Sequence, residues 1–269
     1  MDVLADSRVV GPPPCTLPDS FTSDISLTAA GDWFGATLGT ERYAILRADF
    51  VDATSTPRSS IFGTFDDVTT GSTTYTPIIA GSAAETYQSP RLSYDGHEVF
   101  TRVDRGGTVV IARAFRAPLS PSWSVLQDVD LRVGGASFVV PANTDVGVPT
   151  QTSPRRMILV YGTTGFDEFE ENVASGTWDL HLHHANPAYE ESFLGQAHLT
   201  ADGLRLVYVH QISASLDAVY VVERPDYESL FLPAARLLAT ASTASRPYLV
   251  PDCSTLFSDD GTHVHMTSY

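Results

Sequence analysis

Pro90-Arg91-Leu92-Ser93-Tyr94-Asp95-Gly96, followed by His97-Glu98-Val99-Phe100-Thr101, decides how this chain is read. An apolar-rich run, an Asp-Gly pair and a second apolar run predict a strand, a tight turn and another strand. The phrase returns at Ala197 to Gly203 and at Thr255 to Gly261. Aligned on the apolar residue four places before the turn glycine, copies fall at Leu27, Leu92, Leu199 and Phe257. A hydroxyl residue follows each: Thr28, Ser93, Thr200 and Ser258. A degraded copy fits Pro149 to Arg155, ahead of Met157-Ile158-Leu159-Val160-Tyr161. The copies lie roughly 50 to 65 residues apart, longer than an ordinary propeller blade of about 40 to 50, so the loops carry insertions.

Each copy continues in the same order, with short runs rich in Val, Ile, Leu, Phe and Tyr split by turn residues. Four strands make a sheet with two apolar faces, which stacking around an axis buries. The expected fold is an all-β, five-bladed β-propeller, with six blades as the alternative. It occupies residues 1–269 as one domain, with blades starting near residues 25, 90, 149, 197 and 255. Only eight residues follow Gly261, so the last blade is incomplete. Residues 1–22, with Val3 to Val10 as a strand, are expected to complete that blade and close the ring. Pro12-Pro13-Pro14 reads as a stiff connection. Helical periodicity is nearly absent; Leu232 to Ala241 is the one stretch that could hold a turn or two.

Composition bounds the function. The chain is 43% hydrophobic, enough for a full core, and its net charge is −16 with arginine as the only basic residue type. Such a charge repels phosphate backbones and anionic lipid, which argues against nucleic acid as a partner. No apolar run approaches the ~20 residues of a membrane span. Met1-Asp2-Val3-Leu4 has neither a basic n-region nor an apolar h-region, so no signal peptide is read in this sequence. The two cysteines, Cys15 and Cys253, sit one near each end. They read either as a disulfide that ties the termini together in an oxidising compartment or as two buried thiols.

Ser-Tyr-Asp-Gly-x-x-Val-Phe-Thr-Arg, Thr-Ala-Asp-Gly-x-x-Leu-Val-Tyr-Val and Ser-Asp-Asp-Gly-x-x-Val-His-Met-Thr resemble TolB-like, WD-type repeats. That family's phrase has proline before the Asp-Gly; here Tyr94, Ala201 and Asp259 stand in its place. Asp179-Leu180-His181-Leu182 and Ala218-Val219-Tyr220-Val221 resemble the family's third strand. The resemblance covers most of the chain and implies a propeller that is periplasmic, cell-surface or secreted and often binds partners. It does not fix the function.

Several residues are candidates for chemistry. In a strand, residues i and i+2 share a face, so His181 with His183 and His263 with His265 form two pairs that can ligate Zn²⁺ or Cu²⁺. They read equally as polar faces of half-exposed strands. Asp95, Asp202, Asp259 and Asp260 read as turn residues of type I′ hairpins. Phe166-Asp167-Glu168-Phe169-Glu170-Glu171 reads as an inserted acidic loop, solvated or offering oxygen ligands to Ca²⁺. Ser26, Arg91, Thr150, His198 and Leu256 hold the same place in successive copies, and the first four are candidates for a ligand pocket lining the central channel. No Gly-x-Ser-x-Gly elbow, phosphate loop, Cys-x-x-Cys or His-Glu-x-x-His is present. The chain therefore reads as a non-enzymatic binding or scaffold module for a protein, glycan or small-molecule ligand. The alternative is a hydrolase or lyase using the channel, with a histidine-bound metal.

Overall fold

A computed structural model describes residues 15–17, 23–28, 32–37, 43–51, 57–64, 76–80, 84–117, 120, 122–161, 165–185, 197–214, 216–232, 235–241, 245–259 and 263–268. The described chain is all-β and forms five separate antiparallel-based sheets. The first contains β2 (Asp32–Thr37), β3 (Tyr43–Val51), β4 (Pro57–Thr64) and β5 (Thr76–Ile79). The second contains β6 (Thr86–Leu92), β7 (Glu98–Arg105), β8 (Thr108–Phe115) and β9 (Gln127–Asp128). The third runs β12 (Asp145–Val146), β13 (Arg156–Val160), β14 (Gly165–Asn172) and β15 (Thr177–Ala185). It is extended beyond β15 by β10 (Leu131–Val133), paired in parallel, and β11 (Ala136–Ser137). The fourth contains β16 (His198–Leu199), β17 (Arg205–Ser213), β18 (Leu216–Glu223) and β19 (Arg236–Ala241). The fifth contains β20 (Ser245–Leu249), β21 (Thr255–Asp259) and β22 (His263–Ser268), with β1 (Ser23–Thr28) on its outer edge.

Alternation along each strand supplies the core between sheets. On β7, Val99 and Val103 face the first sheet, packing with Ile61 and Ile79, while Phe100 faces the third. On β13, Met157 and Leu159 pack with Phe100 and Trp178, while Ile158 and Val160 pack with Leu206 and Phe231. On β17, Val207 and Val209 turn the other way, onto Leu249 and Leu256. Strands buried on both faces carry unbroken apolar runs, which is why Met157 to Val160 lacks polar residues. β6 touches β2, β3 and β4; β12 touches β6 and β7; β13 touches β16; β17 touches β20; and β20 and β21 touch β2. Each sheet thus meets the next in chain order, and the fifth meets the first.

The structure shifts the phase of the repeat. Gly96 N–H donates to Ser93 O, and Ser93 N–H to Glu98 O, both at 2.8 Å. The same two bonds recur at Gly203→Thr200 and Thr200→Arg205, and at Cys253→Val250 and Val250→Thr255. The third copy is therefore Tyr248-Leu249-Val250-Pro251-Asp252-Cys253, not Thr255 to Gly261, and it carries the proline missing from the others. Cys253 takes the glycine position with φ 63°, beside 73° at Gly96 and 69° at Gly203. Left-handed backbone at a non-glycine residue is costly, so its Cys hid the turn from a search for Asp-Gly. None of Asp95, Asp202 and Asp252 has positive φ, so these are type I turns followed by a left-handed residue rather than type I′; Asp260 lies outside the described residues. The Asp carboxylates instead accept from the backbone two residues on: His97 N at 3.0 Å, Leu204 N at 3.1 Å and Ser254 N at 3.0 Å.

Three further expectations change. β1 pairs with β22 from Ser23↔Ser268 to Thr28↔His263, so the described strand that completes the fifth sheet is Ser23–Thr28. Val3 to Val10 lie outside the described residues. Within Leu232 to Ala241 the described residues form strand β19 and no helix, paired with β18 through registers such as Tyr220↔Leu237. Phe166 to Glu171 is the buried strand β14. Its carboxylates are matched by arginines and histidines from other elements, which local charge density alone did not show.

Candidate functional site

The innermost strands of four sheets meet in one buried polar cluster. Arg91, on β6, has no exposed surface; its Nε donates to Val146 O at 3.0 Å and its Nη2 to Asp145 Oδ2 at 3.3 Å on β12. His198, on β16 and equally buried, accepts from Leu249 N–H on β20 at 3.2 Å through Nε2 and stacks on Tyr248 at 5.8 Å. Tyr94, in the first Asp turn, donates to Leu199 O at 2.6 Å and lies 5.5 Å from Tyr248. Tyr94 thus spans from the second sheet to the fourth and fifth, neither of which is its neighbour around the chain. Arg91, His198 and Tyr248 occupy equivalent places one residue before Leu92, Leu199 and Leu249. Burial, reinforced by the Arg91 charge, pushes the His198 pKa down to about 3 and keeps the ring neutral. Burial raises the Asp145 pKa against the opposing pull of Arg91.

Arg91 and His198 lie on the first strands of their sheets and near one another, without surface to offer a ligand. Thr150 is two places out of that register: its N–H donates to Arg156 O at 2.8 Å, as Ser93 does to Glu98. It lies at a turn, 2% exposed, against a surface groove. The side chains of Ser26, His263 and His265 lie outside the described residues. Cys15 and Cys253 are joined by a disulfide with Cα atoms 4.9 Å apart, packed beside Leu249 and Leu256.

His181 and His183 do not share a face. The β14–β15 register slips between Glu168 and Phe169, leaving His181 as the extra residue between Leu180 and Leu182. A bulge breaks the period of two. His181 turns toward Glu170 and Glu228, at 3.7 and 3.4 Å, while His183 turns to Asp167 on the opposite face, Nδ1 at 2.6 Å. Among the described residues no group of three His, Cys, Asp or Glu is placed to hold a metal ion.

Two buried arginines that sequence reading missed hold the Asp turns. Arg116 Nε donates to Gly96 O at 2.7 Å, and Arg224 Nε to Gly203 O at 2.9 Å. Both close the third strand of their sheet, just before Pro118 in one case and Pro225 in the other; that shared Arg with proline beyond was the available signal. Arg224 also clamps the fully buried Glu168 with two bonds of 2.8 Å, and His184 adds a third at 3.0 Å. Burial works to raise the Glu168 pKa, but the bonds from His184 and Arg224 prevail and hold it at about 2. The Tyr227 ring covers Arg156 and Arg224, at 4.8 and 6.0 Å. This network ties the third sheet to the fourth.

Where the first Asp turn faces the turn at 149–155, a half-open groove of about 400 Å³ lies between the second and third sheets. Its lining includes Tyr94, Asp95, Thr150, Gln151, Arg155 and Glu171. Arg155 pairs with Glu98 at 2.6 Å and Glu171 at 3.4 Å, over the rings of Phe100 and Trp178; Arg113 pairs with Glu171 at 3.3 Å. Two guanidinium groups and two carboxylates alternate along this wall, and Asp95 adds a further carboxylate to the lining, so the groove can donate and accept hydrogen bonds but disfavours an anion.

No family model matches the chain, and neither does any curated protein. Among solved structures, the catalytic domain of the Coprinopsis cinerea GH62 α-L-arabinofuranosidase covers 94% of this chain and 98% of its own, with a TM-score of 0.57 at 10% identity. The Podospora anserina α-L-arabinofuranosidase in complex with cellotriose covers 94% and 98%, with a TM-score of 0.50 at 8% identity. TolB from Acinetobacter baumannii covers 89% of this chain with a TM-score of 0.46 at 14% identity; the present chain spans 55% of that protein. These proteins are β-propellers. At such identities the likeness is one of fold: this is an all-β chain of propeller type.

Proposed function

We propose that this chain is a non-enzymatic binding module, a closed five-bladed propeller that holds a glycan or protein ligand in the groove between its second and third sheets. The observation that carries this reading is the groove itself, a concave space of small-molecule size with mixed polar and apolar lining beside the Asp95 turn. The cyclic order of sheet contacts, and Tyr94 reaching across to the fourth and fifth sheets, support five blades around one axis. The pairing of β1 with β22 supports closure by the first described strand. The fold accommodates an enzyme as well. Arg91 and His198, however, fill the inner strands with no exposed surface, which favours binding at the groove over catalysis in a channel. The disulfide supports an oxidising compartment such as the periplasm, the cell surface or the exterior. The charge of −16 disfavours nucleic acid, and no helix among the described residues is long and apolar enough to cross a membrane.

The test is a Gln151→Trp variant, which fills the groove, compared with wild type on glycan and peptide arrays. Signals lost in the variant, at unchanged melting temperature, are the expected outcome. Signals indifferent to the substitution would place the site elsewhere, and turnover of an arrayed substrate would make the protein an enzyme.

A further inference from the structure

The groove has a second lobe. A second space of about 490 Å³ lies beside it along the third sheet, sharing Ser153, Pro154, Glu171 and Val173 with the first and reaching Asp179 and His181. Each lobe alone is the size of a small-molecule site; joined, they suit a chain of at least two units. Several of the charges around them are paired, while the lining carboxylates Asp95 and Asp179 have no arginine salt bridge among the described residues and disfavour an anion. Glu171 pairs with Arg113 and Arg155, and Glu170 with Arg156 at 2.7 Å. Among the described residues, the Gln151 carboxamide and the Ser153 hydroxyl make no side-chain hydrogen bond. Pro149, Pro154 and the exposed Val173 add apolar surface. Uncommitted amide and hydroxyl groups beside small apolar contacts and the carboxylates of Asp95 and Asp179 match a neutral polyhydroxylated ligand better than an anionic one.

A peptide is served less well. Extended peptides bind by adding to an unpaired strand edge. Here β14 is paired on both sides, by β13 and β15, and β15 is covered by β10, so neither of these strands offers a free edge to the groove. We propose that the two lobes form adjoining subsites for a linear, neutral oligosaccharide that passes over Ser153-Pro154. This rests on the reading of the groove as the binding site and adds the ligand class and its length.

The experiment is calorimetric titration with glucose, xylose and mannose against cellotetraose, xylotetraose and mannotetraose. A tetragalacturonate and a tetra-arginine peptide serve as charged controls. The expected result is that at least one neutral tetrasaccharide binds tenfold or more tighter than its monosaccharide. Asp179→Tyr, and independently Asp179→Ala, should remove that gain and leave monosaccharide affinity within about twofold, while Gln151→Trp removes both. Equal affinity for monomer and tetramer, abolished by Gln151→Trp, overturns the two-subsite inference and leaves the groove standing. Binding of a charged control in place of the neutral sugars, or of none of the probes at millimolar concentration, overturns the ligand class. Sugar binding untouched by Gln151→Trp overturns the groove itself.

Discussion

Cys253 shows how one residue can serve two ends. It sits in the left-handed position that Gly96 and Gly203 fill in the sister turns, and it bonds to Cys15 across 238 residues. Cys253→Ser loses the bond and keeps the backbone strain; Cys253→Gly loses the bond and relieves the strain. Glycine is therefore expected to leave the protein about 1 kcal/mol more stable than serine, measured by chemical denaturation under identical conditions. His198 gives a second residue-scale prediction. Its folded pKa of about 3 lies below the 6.5 of the free group, so between those values the unfolded chain binds the extra proton. Its contribution is present in full above pH 6.5 and is lost as pH falls through that window, with a slope of at most about 1.4 kcal/mol per pH unit. His198→Gln should flatten the stability–pH curve from 6.5 down to the point where carboxylates begin to titrate. An unchanged slope would show that the ring is not held neutral.

At the scale of elements, Glu168 and Arg224 join two sheets. Glu168→Ala strands Arg224 and His184 in a buried setting, and a loss of about 3 to 5 kcal/mol is expected on denaturation. A Glu168→Leu, Arg224→Met pair, which removes both charges, should recover most of that loss; equal damage in the single and double variants would count against the coupling. Acid acts on the same contact. The Glu168 pKa of about 2 lies below its ordinary 4.5, so the stabilisation stands above pH 4.5 and fades as pH falls toward 2. Strand β14, which holds Glu168, was hidden in the sequence because its four carboxylates between Phe166 and Glu171 resemble a solvated loop. Their partners, Arg224 and His184, lie on other strands. Strand β15 hid its bulge for a related reason: nothing in Leu180-His181-Leu182 marks which residue is left unpaired.

For the whole molecule, the disulfide ties the segment at Cys15 to the core between the fourth and fifth sheets. Reduction is expected to cost about 2 to 5 kcal/mol and to lower the melting temperature by roughly 10 °C, read by calorimetry with and without reductant. No change in melting temperature would mean that the tie constrains little of the unfolded chain.

The order of apolar runs and Asp turns was enough to determine an all-β chain of repeated four-stranded units, since side-chain alternation and turn chemistry are local properties written residue by residue. Leu92 and Leu199, each four places before a turn glycine, lie at the ends of β6 and β16, the first strands of their sheets. The phase of the last unit, the identity of the strand beside His263–Ser268, the faces of His181 and His183, and the partners of Arg116, Arg155 and Arg224 were decided only by the tertiary structure. Each depends on a contact between residues distant along the chain, and a hydrogen bond or ion pair of that kind leaves no periodic trace in the sequence of either partner.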